Sequence, residues 1–206
     1  MLEAADNEMT YDDLRELHYI NSIVNLGSIL ELGIVSNDTA ATLPHHSVAM
    51  TQIQDIRATV FIPNTNRKLH SYANLYINAR NMMMFKRKDI HSKLCVIRVD
   101  KSILTAPNVV VSDQNASSGY VRFGSGVAGL MKLDKDTIFA RYWTYPNDLI
   151  AQIRHGSAMC AEVLVPNVVP TGYIMGIYVS SEATAETVRS AFPDLQIDVN
   201  GDLFFQ

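Results

Sequence analysis

A glutamate set among apolar residues is the side chain of this sequence best placed to do chemistry. Glu162 interrupts Met159-Cys160-Ala161-Glu162-Val163-Leu164-Val165-Pro166, and a carboxylate in such company is costly to bury unless it is paired or at work. Strand alternation offers a plainer alternative, with Glu162 on the solvated face of an edge strand. Arg57, Arg80 and Arg154 are its candidate partners, because a guanidinium can neutralise a carboxylate or grip a pyrophosphate through paired hydrogen bonds. The stretch from Tyr76 to Phe85, Tyr-Ile-Asn-Ala-Arg-Asn-Met-Met-Met-Phe, sets a guanidinium, two amides and soft apolar groups directly ahead of Lys86-Arg87-Lys88. That mixture suits an unstacked base beside its phosphates, although Met82 to Phe85 fits a core equally well. Cys95 and Cys160 lie in apolar runs and read as buried small hydrophobes rather than a disulfide or metal site. His45-His46 reads as a surface pair, so no metal is expected.

Charge is distributed unevenly behind a net value of −4. The opening stretch carries Glu3, Asp6, Glu8, Asp12, Asp13 and Glu16 against Arg15, whereas Asn64 to Lys93 carries Arg67, Lys68, Arg80, Lys86, Arg87, Lys88 and Lys93 against Asp89. The basic segment is either a solvated loop or a surface for nucleic-acid phosphates. The first residues, Met1 to Glu8, are too acidic for a signal peptide, and no apolar run approaches the roughly 20 residues of a membrane span. A cytoplasmic protein without a membrane partner is the expectation.

The elements that must position these residues are legible in part. With 206 residues, 48% of them hydrophobic, the chain suits one domain over residues 1–206. Thr10 with Asp13 resembles a capping box, Leu17 to Ile20 reads as a strand, and Ile23, Leu26, Ile29 and Leu30 fall on one helical face that ends before Gly33. Ser36 to Ala49 reads as loop, and Thr51 to Ala58 has a mixed pattern. Further strands are expected at 73–77, 94–99 (apolar almost throughout, as in a central strand), 109–111, 161–165, 173–179 and 195–199. Asn200-Gly201 signals a hairpin into Leu203-Phe204-Phe205. Helices are expected from Asn147 to His155, stopped by Gly156, and from Ser181 to Ala191. Strands outnumber helices without regular alternation, which predicts an α+β domain, and no Gly-rich phosphate loop is present.

Four blocks, in order along the chain, resemble the DarT family of DNA ADP-ribosyltransferase toxins. They are Leu17 to Leu26 through Gly33; Arg57 with Leu69-His70-Ser71-Tyr72 and Tyr76 to Met84; Ser112-Asp113-Gln114-Asn115-Ala116; and Ala161 to Pro166. The resemblance implies an ADP-ribosyltransferase fold, two small β-sheets packed at a steep angle around an NAD⁺ cleft with flanking helices. It implies Glu162 as the catalytic glutamate, binding the nicotinamide ribose, and Arg57 beside the NAD⁺ phosphates and as acceptor of the attacked base's proton. The family's nicotinamide block usually has His followed two residues later by Thr; here Tyr19 and Asn21 take those places without a gap, or His18 the first with a slip of one. Asn25 and Tyr76 complete the implied cofactor contacts. Arg80, Met83, Lys86, Arg87, Asn115, Arg154 and His155 are the implied DNA contacts, with Met82 where the family often has Pro, and 148–161 would be the loop shaping the target pocket. The implied activity is NAD⁺-dependent transfer of ADP-ribose to thymine or guanine in single-stranded DNA, opposed by a partner antitoxin that removes the modification. The alternatives are transfer to RNA or protein, or an inactive nucleic-acid-binding module.

Overall fold

The computed structural model describes residues 7–206, so the opening segment read as unlike a signal peptide falls almost wholly outside them. From the start of the described chain, a turn at 11–13 is held by Asp13, which accepts from the Thr10 amide and hydroxyl at 2.7 and 2.8 Å. Strand β1 (Leu17–Ser22) follows, then a short 3₁₀ turn and helix α1 (Leu26–Leu32), ended by Gly33 at φ 82°. A side chain at Gly33 would meet the Val169 carbonyl at 2.3 Å. Next come β2 (Ile34–Val35), α2 (Asn37–Ala40), α3 (Thr51–Arg57), β3 (Phe61–Ile62), β4 (Arg67–Lys68), β5 (Tyr72–Tyr76) and α4 (Met82–Phe85). The centre of the chain forms β6 (Leu94–Val99), β7 (Val110–Ser112), β8 (Phe123–Ser125), α5 (Gly126–Leu130), α6 (Lys135–Ile138) and α7 (Leu149–Ala158). The last elements are β9 (Glu162–Pro166), β10 (Val168–Val169), β11 (Ile174–Val179), α8 (Glu182–Ala191) and β12 (Ile197–Val199).

Eight strands join in the order β12-β11-β6-β1-β5-β9-β7-β8, but the join in the middle is slight. β1 pairs β6 along its whole length, Leu17 to Ser22 against Val99 to Leu94, and β5 pairs β9 from Tyr72 to Tyr76 against Pro166 to Glu162. Between β1 and β5 there is one register pair, His18 opposite Tyr76. The sheet is therefore two four-stranded halves touching at one point, which is the form the two expected sheets take in this α+β fold. From that pair the remainder of β1 parts from the remainder of β5. The main core gathers Leu17, Leu75, Ile97, Val99, Val163 and Ile177 from both halves under Leu26, Ile29 and Val188 of the flanking helices.

Three local expectations are corrected, and one undecided stretch, 51–57, is settled. Within the expected loop 36–49, residues 37–40 are helical, with the Ser36 hydroxyl accepting from the Thr39 amide at their start. The helix before Glu162 does not stop at Gly156; it runs from Leu149 to Ala158, with Asp148 accepting from the Ala151 amide at its start. Gly156 sits inside it, where the helix packs close on the Met82 side chain: a Cβ there would lie 2.9 Å from Met82 Cγ. The mixed stretch 51–57 is helical, its apolar Ile56 being left 47% exposed, so no clean apolar stripe marks it. No hairpin follows Asn200: β12 pairs in parallel with β11, and residues 201–204 turn into a 3₁₀ helix that buries Phe204. Among the described residues no helix is long and apolar enough to cross a membrane.

Candidate active site

Glu162 opens β9 at the row where the halves meet, opposite Tyr76 on one side and Ser112 on the other. It is 0% exposed, which rules out the solvated edge-strand alternative. Such a charge demands compensation, and Arg57 supplies it: Nη1 donates to Oε1 and Nη2 to Oε2, both at 2.9 Å. The Ala116 amide donates a third hydrogen bond to Oε1 at 3.0 Å. Arg57 reaches the carboxylate from the last turn of α3, where the helix dipole favours a cation. Burial on its own would lower the Arg57 pKa, but Glu162 outweighs it and holds the guanidinium above its ordinary value.

A cleft of about 260 Å³ opens where β1 and β5 part. Tyr19 and Asn21 of β1 form one wall and Tyr72, Asn74 and Tyr76, alternate residues of β5, the other, with Arg57, Asn25, Met83, Lys86 and Asn115 around them. Glu162 itself does not line the cleft; Arg57 stands between the two. Burial, and after it Glu162, push the Tyr76 hydroxyl well above its usual pKa, and burial takes Tyr19 to about 12, so both keep their protons. Burial also takes the Cys160 thiol to about 12, which disarms the one cysteine in the wall. Asn25 does not simply face the cleft: its amide accepts from the His46 amide and donates to the His46 carbonyl, at 2.9 and 2.8 Å, clasping loop 43–49 across one side. His45 and His46 thus belong to the cleft rim. Two buried atoms in the wall, His70 Nε2 and Tyr72 Oη, have no hydrogen-bond partner, and Lys86 has no carboxylate partner among the described residues. Orphaned donors and a free ammonium in a roomy cleft fit a polyanionic dinucleotide.

The structure separates the remaining predicted residues. Met83, Lys86 and Asn115 share the cleft with Arg57. His18 does not: its ring lies in a second cavity, Nδ1 against the Ile77 carbonyl at 3.2 Å and Nε2 3.4 Å from Glu16. Arg80 is spent on the carbonyls of Arg141 and Asp202 and stacks over Phe205 at 4.1 Å. Arg87 donates to the Val48 carbonyl. His155 is tied to Tyr145 and to the Thr137 carbonyl, whereas Arg154 stands exposed on α7. Sequence reasoning missed His70 and Asn74 as cleft residues, although the spacing Tyr72-x-Asn74-x-Tyr76 is the period-two signal of a strand face.

A sheet parted at one residue pair, a cleft in the gap and a buried strand glutamate gripped by an arginine of the cleft wall are the arrangement that the ADP-ribosyltransferase resemblance implies. The family model described as "ssDNA thymidine ADP-ribosyltransferase, DarT" matches residues 18–205, and the chain belongs to the DarT family. A DNA ADP-ribosyl transferase–DNA ADP-ribosyl glycohydrolase fusion protein of Thermosipho africanus is 30% identical over 205 residues, covering 93% of this chain and 49% of the relative. The chain thus spans about half the length of that relative. The solved Thermosipho africanus DarTG in complex with ADP-ribose superposes with a TM-score of 0.81 at 25% identity, over 93% of this chain and 51% of the other. Thermus sp. 2.9 DarT in complex with ADP-ribosylated ssDNA gives 0.80 at 21% identity over 96% and 99% of the two chains. The same Thermus protein in complex with NAD⁺ gives 0.74 at 20%, over 95% and 100%.

Proposed function

We propose that the chain is a toxin that transfers ADP-ribose from NAD⁺ to a base in single-stranded DNA, thymine in keeping with the family description or guanine, releasing nicotinamide. The observation that carries this reading is the fully buried Glu162 held by Arg57 directly behind the wall of a cleft with orphaned polar atoms. In this reading Glu162 stabilises the positive charge that develops on the nicotinamide ribose as its bond to nicotinamide breaks, a preorganised electrostatic role. Arg57 faces both the carboxylate and the cleft, so a pyrophosphate competes for it and draws it off Glu162, uncovering the carboxylate at the moment it is needed. Arg57 is assigned this phosphate-holding role rather than that of proton acceptor, because an anion faces it in either position, Glu162 before and the pyrophosphate after, and favours the charged guanidinium.

The ungapped alignment of the nicotinamide block is favoured, since Tyr19 and Asn21 face the cleft and the His18 ring does not. Asn25 acts as the clasp of loop 43–49, and Tyr76 as a protonated donor near the carboxylate. Met83, Lys86 and Asn115 meet the target base and its phosphate. Arg154 is left to meet a flanking phosphate, while Arg80, Arg87 and His155 hold the surrounding chain in place. A base edge must leave the stack to reach the anomeric carbon, which accounts for unpaired DNA as substrate. A cognate antitoxin with ADP-ribosyl-DNA hydrolase activity is the proposed partner, on the strength of the fused relative.

Mass spectrometry of nucleosides released from single-stranded oligonucleotides, after incubation with the protein and NAD⁺, tests the reading. An ADP-ribosylated thymidine or deoxyguanosine is expected. Label transferred to RNA or protein but not DNA, or free ADP-ribose alone with every oligonucleotide, overturns it.

A further inference from the structure

Of the block Ser112 to Ala116, the reading above uses Asn115 alone. We infer that Ser112 is the positioning residue that sets the orientation of the Glu162 carboxylate, an inference that rests on Glu162 being the catalytic group. Ser112 and Glu162 face each other across β7 and β9, and both are 0% exposed. The serine hydroxyl works in both directions. It accepts from the Glu162 amide at 3.1 Å, fixing the strand at the glutamate, and donates to the Gln114 carbonyl at 2.7 Å, folding the following loop back over it. That fold brings the Ala116 amide to Oε1 at 3.0 Å.

The result is an asymmetric carboxylate. Oε1 receives Arg57 Nη1 and the Ala116 amide, whereas Oε2 receives Arg57 Nη2 alone. When a pyrophosphate draws Arg57 away, Oε1 keeps its main-chain donor and Oε2 is left with none. The bracket therefore holds the carboxylate in register and leaves Oε2 as the oxygen offered to the ribose. Asn115 stands on the same turn, its amide donating to the Ser157 carbonyl at 2.9 Å and its side chain in the cleft wall, so one loop sets both the carboxylate and a group that faces the acceptor base.

The test is steady-state transfer from NAD⁺ to a single-stranded oligonucleotide. Ser112→Ala is expected to lower kcat about 10- to 100-fold, the scale of a sub-ångström to 1 Å misplacement of a catalytic group, with KM for NAD⁺ nearly unchanged and the melting temperature lowered by the loss of two buried hydrogen bonds. Unchanged kcat, or a loss confined to KM, overturns the inference. The wild-type fold gives a second reading should Ser112→Ala fail to fold. The amide proton of Ala116, shifted downfield by a carboxylate acceptor, moves upfield in Glu162→Gln, while that of Gly126, bonded to the Val109 carbonyl, stays. An Ala116 resonance indifferent to that change overturns the bracket. Full transfer by Glu162→Gln refutes instead the assignment of Glu162 itself, whatever Ser112 does.

Discussion

Two arginine–carboxylate pairs lie on either side of the point where the sheet halves meet, and they are built for different ends. Glu162, in the half formed by β5, β9, β7 and β8, has one arginine and one main-chain amide. Glu16, just ahead of β1 in the other half, is surrounded: Arg98 and Tyr178 each donate at 2.8 Å, His18 stands at 3.4 Å, and Arg98 is itself paired with Asp198. Burial on its own would raise the Glu16 pKa, but those partners outweigh it and bring it to about 2. A carboxylate with redundant partners stays put whichever one moves. A carboxylate with a single side-chain partner depends on that partner alone. The contrast teaches that what separates the two is the spread of partners: Glu162 relies on one side chain, Arg57, which also lines the cleft, whereas Glu16 draws on β1, β6 and β11 within its own half of the sheet.

Removing the single partner is the most severe way to break this contrast. Arg57→Ala strands a buried charge and is expected to cost about 3–5 kcal/mol of stability, read as a denaturant midpoint shift and a loss of transfer. Arg57→Met combined with Glu162→Gln replaces both charges and should recover most of that stability with none of the activity; no recovery would show that the pair contributes more than it costs. On the other side, Glu16→Gln is expected to cost about 1–2 kcal/mol, because the amide oxygen serves only one of the two donor positions, Arg98 at Oε2 or Tyr178 at Oε1, and to leave kcat for transfer within about twofold. The pH dependence carries a definite sign. With Glu16 depressed from 4.5 to about 2, its contribution is complete above pH 4.5 and fades as pH falls toward 2. Acid unfolding of the wild-type chain should therefore show a loss over that window, about 2 kcal/mol after allowance for partial exposure, that Glu16→Gln lacks. An identical acid profile in the two would remove Glu16 from the account.

The smallest effect is expected at Gly156, and it sharpens the picture of the cleft. A Cβ there would sit 2.9 Å from Met82 Cγ and 3.6 Å from Trp143 Cδ1. Overpacking of about 1 kcal/mol is offset by the roughly equal gain of alanine over glycine in a helix, so the melting temperature of Gly156→Ala should hardly move. Met82, a flexible side chain of the cleft wall, gives way instead, and KM for NAD⁺ or oligonucleotide rises a fewfold. A large drop in stability with unchanged KM would show that Met82 cannot yield.

Residues 94–99 announced themselves as a buried strand because almost every position is apolar, 161–165 read as a strand with its burial left open, and the expected helix 181–191 is observed as α8, with the Ser181 hydroxyl accepting from the Thr184 amide at its N-cap. Glu162 was legible for the same reason: a charge in an apolar strand is an anomaly that composition alone exposes. Helix α3 was not legible, since it leaves Ile56 to solvent and its apolar residues make no stripe. The hydrogen bonds of Arg80 and His155 were not legible, because they go to carbonyls from distant parts of the chain, at residues 141, 202 and 137.

What the sequence determined by itself is the alternation that forms the strands, the caps that start the helices and the identity of the one carboxylate that must be explained. What only tertiary structure decided is which arginine explains it. Arg57, Arg80 and Arg154 are chemically equal in sequence. The choice of Arg57 follows from α3 ending over the first residue of β9, 105 residues along the chain, and no local rule carries contact across that separation. The cleft is likewise a property of the assembled sheet: β1 and β5 are each ordinary strands, and the gap exists because they share one pair and then part.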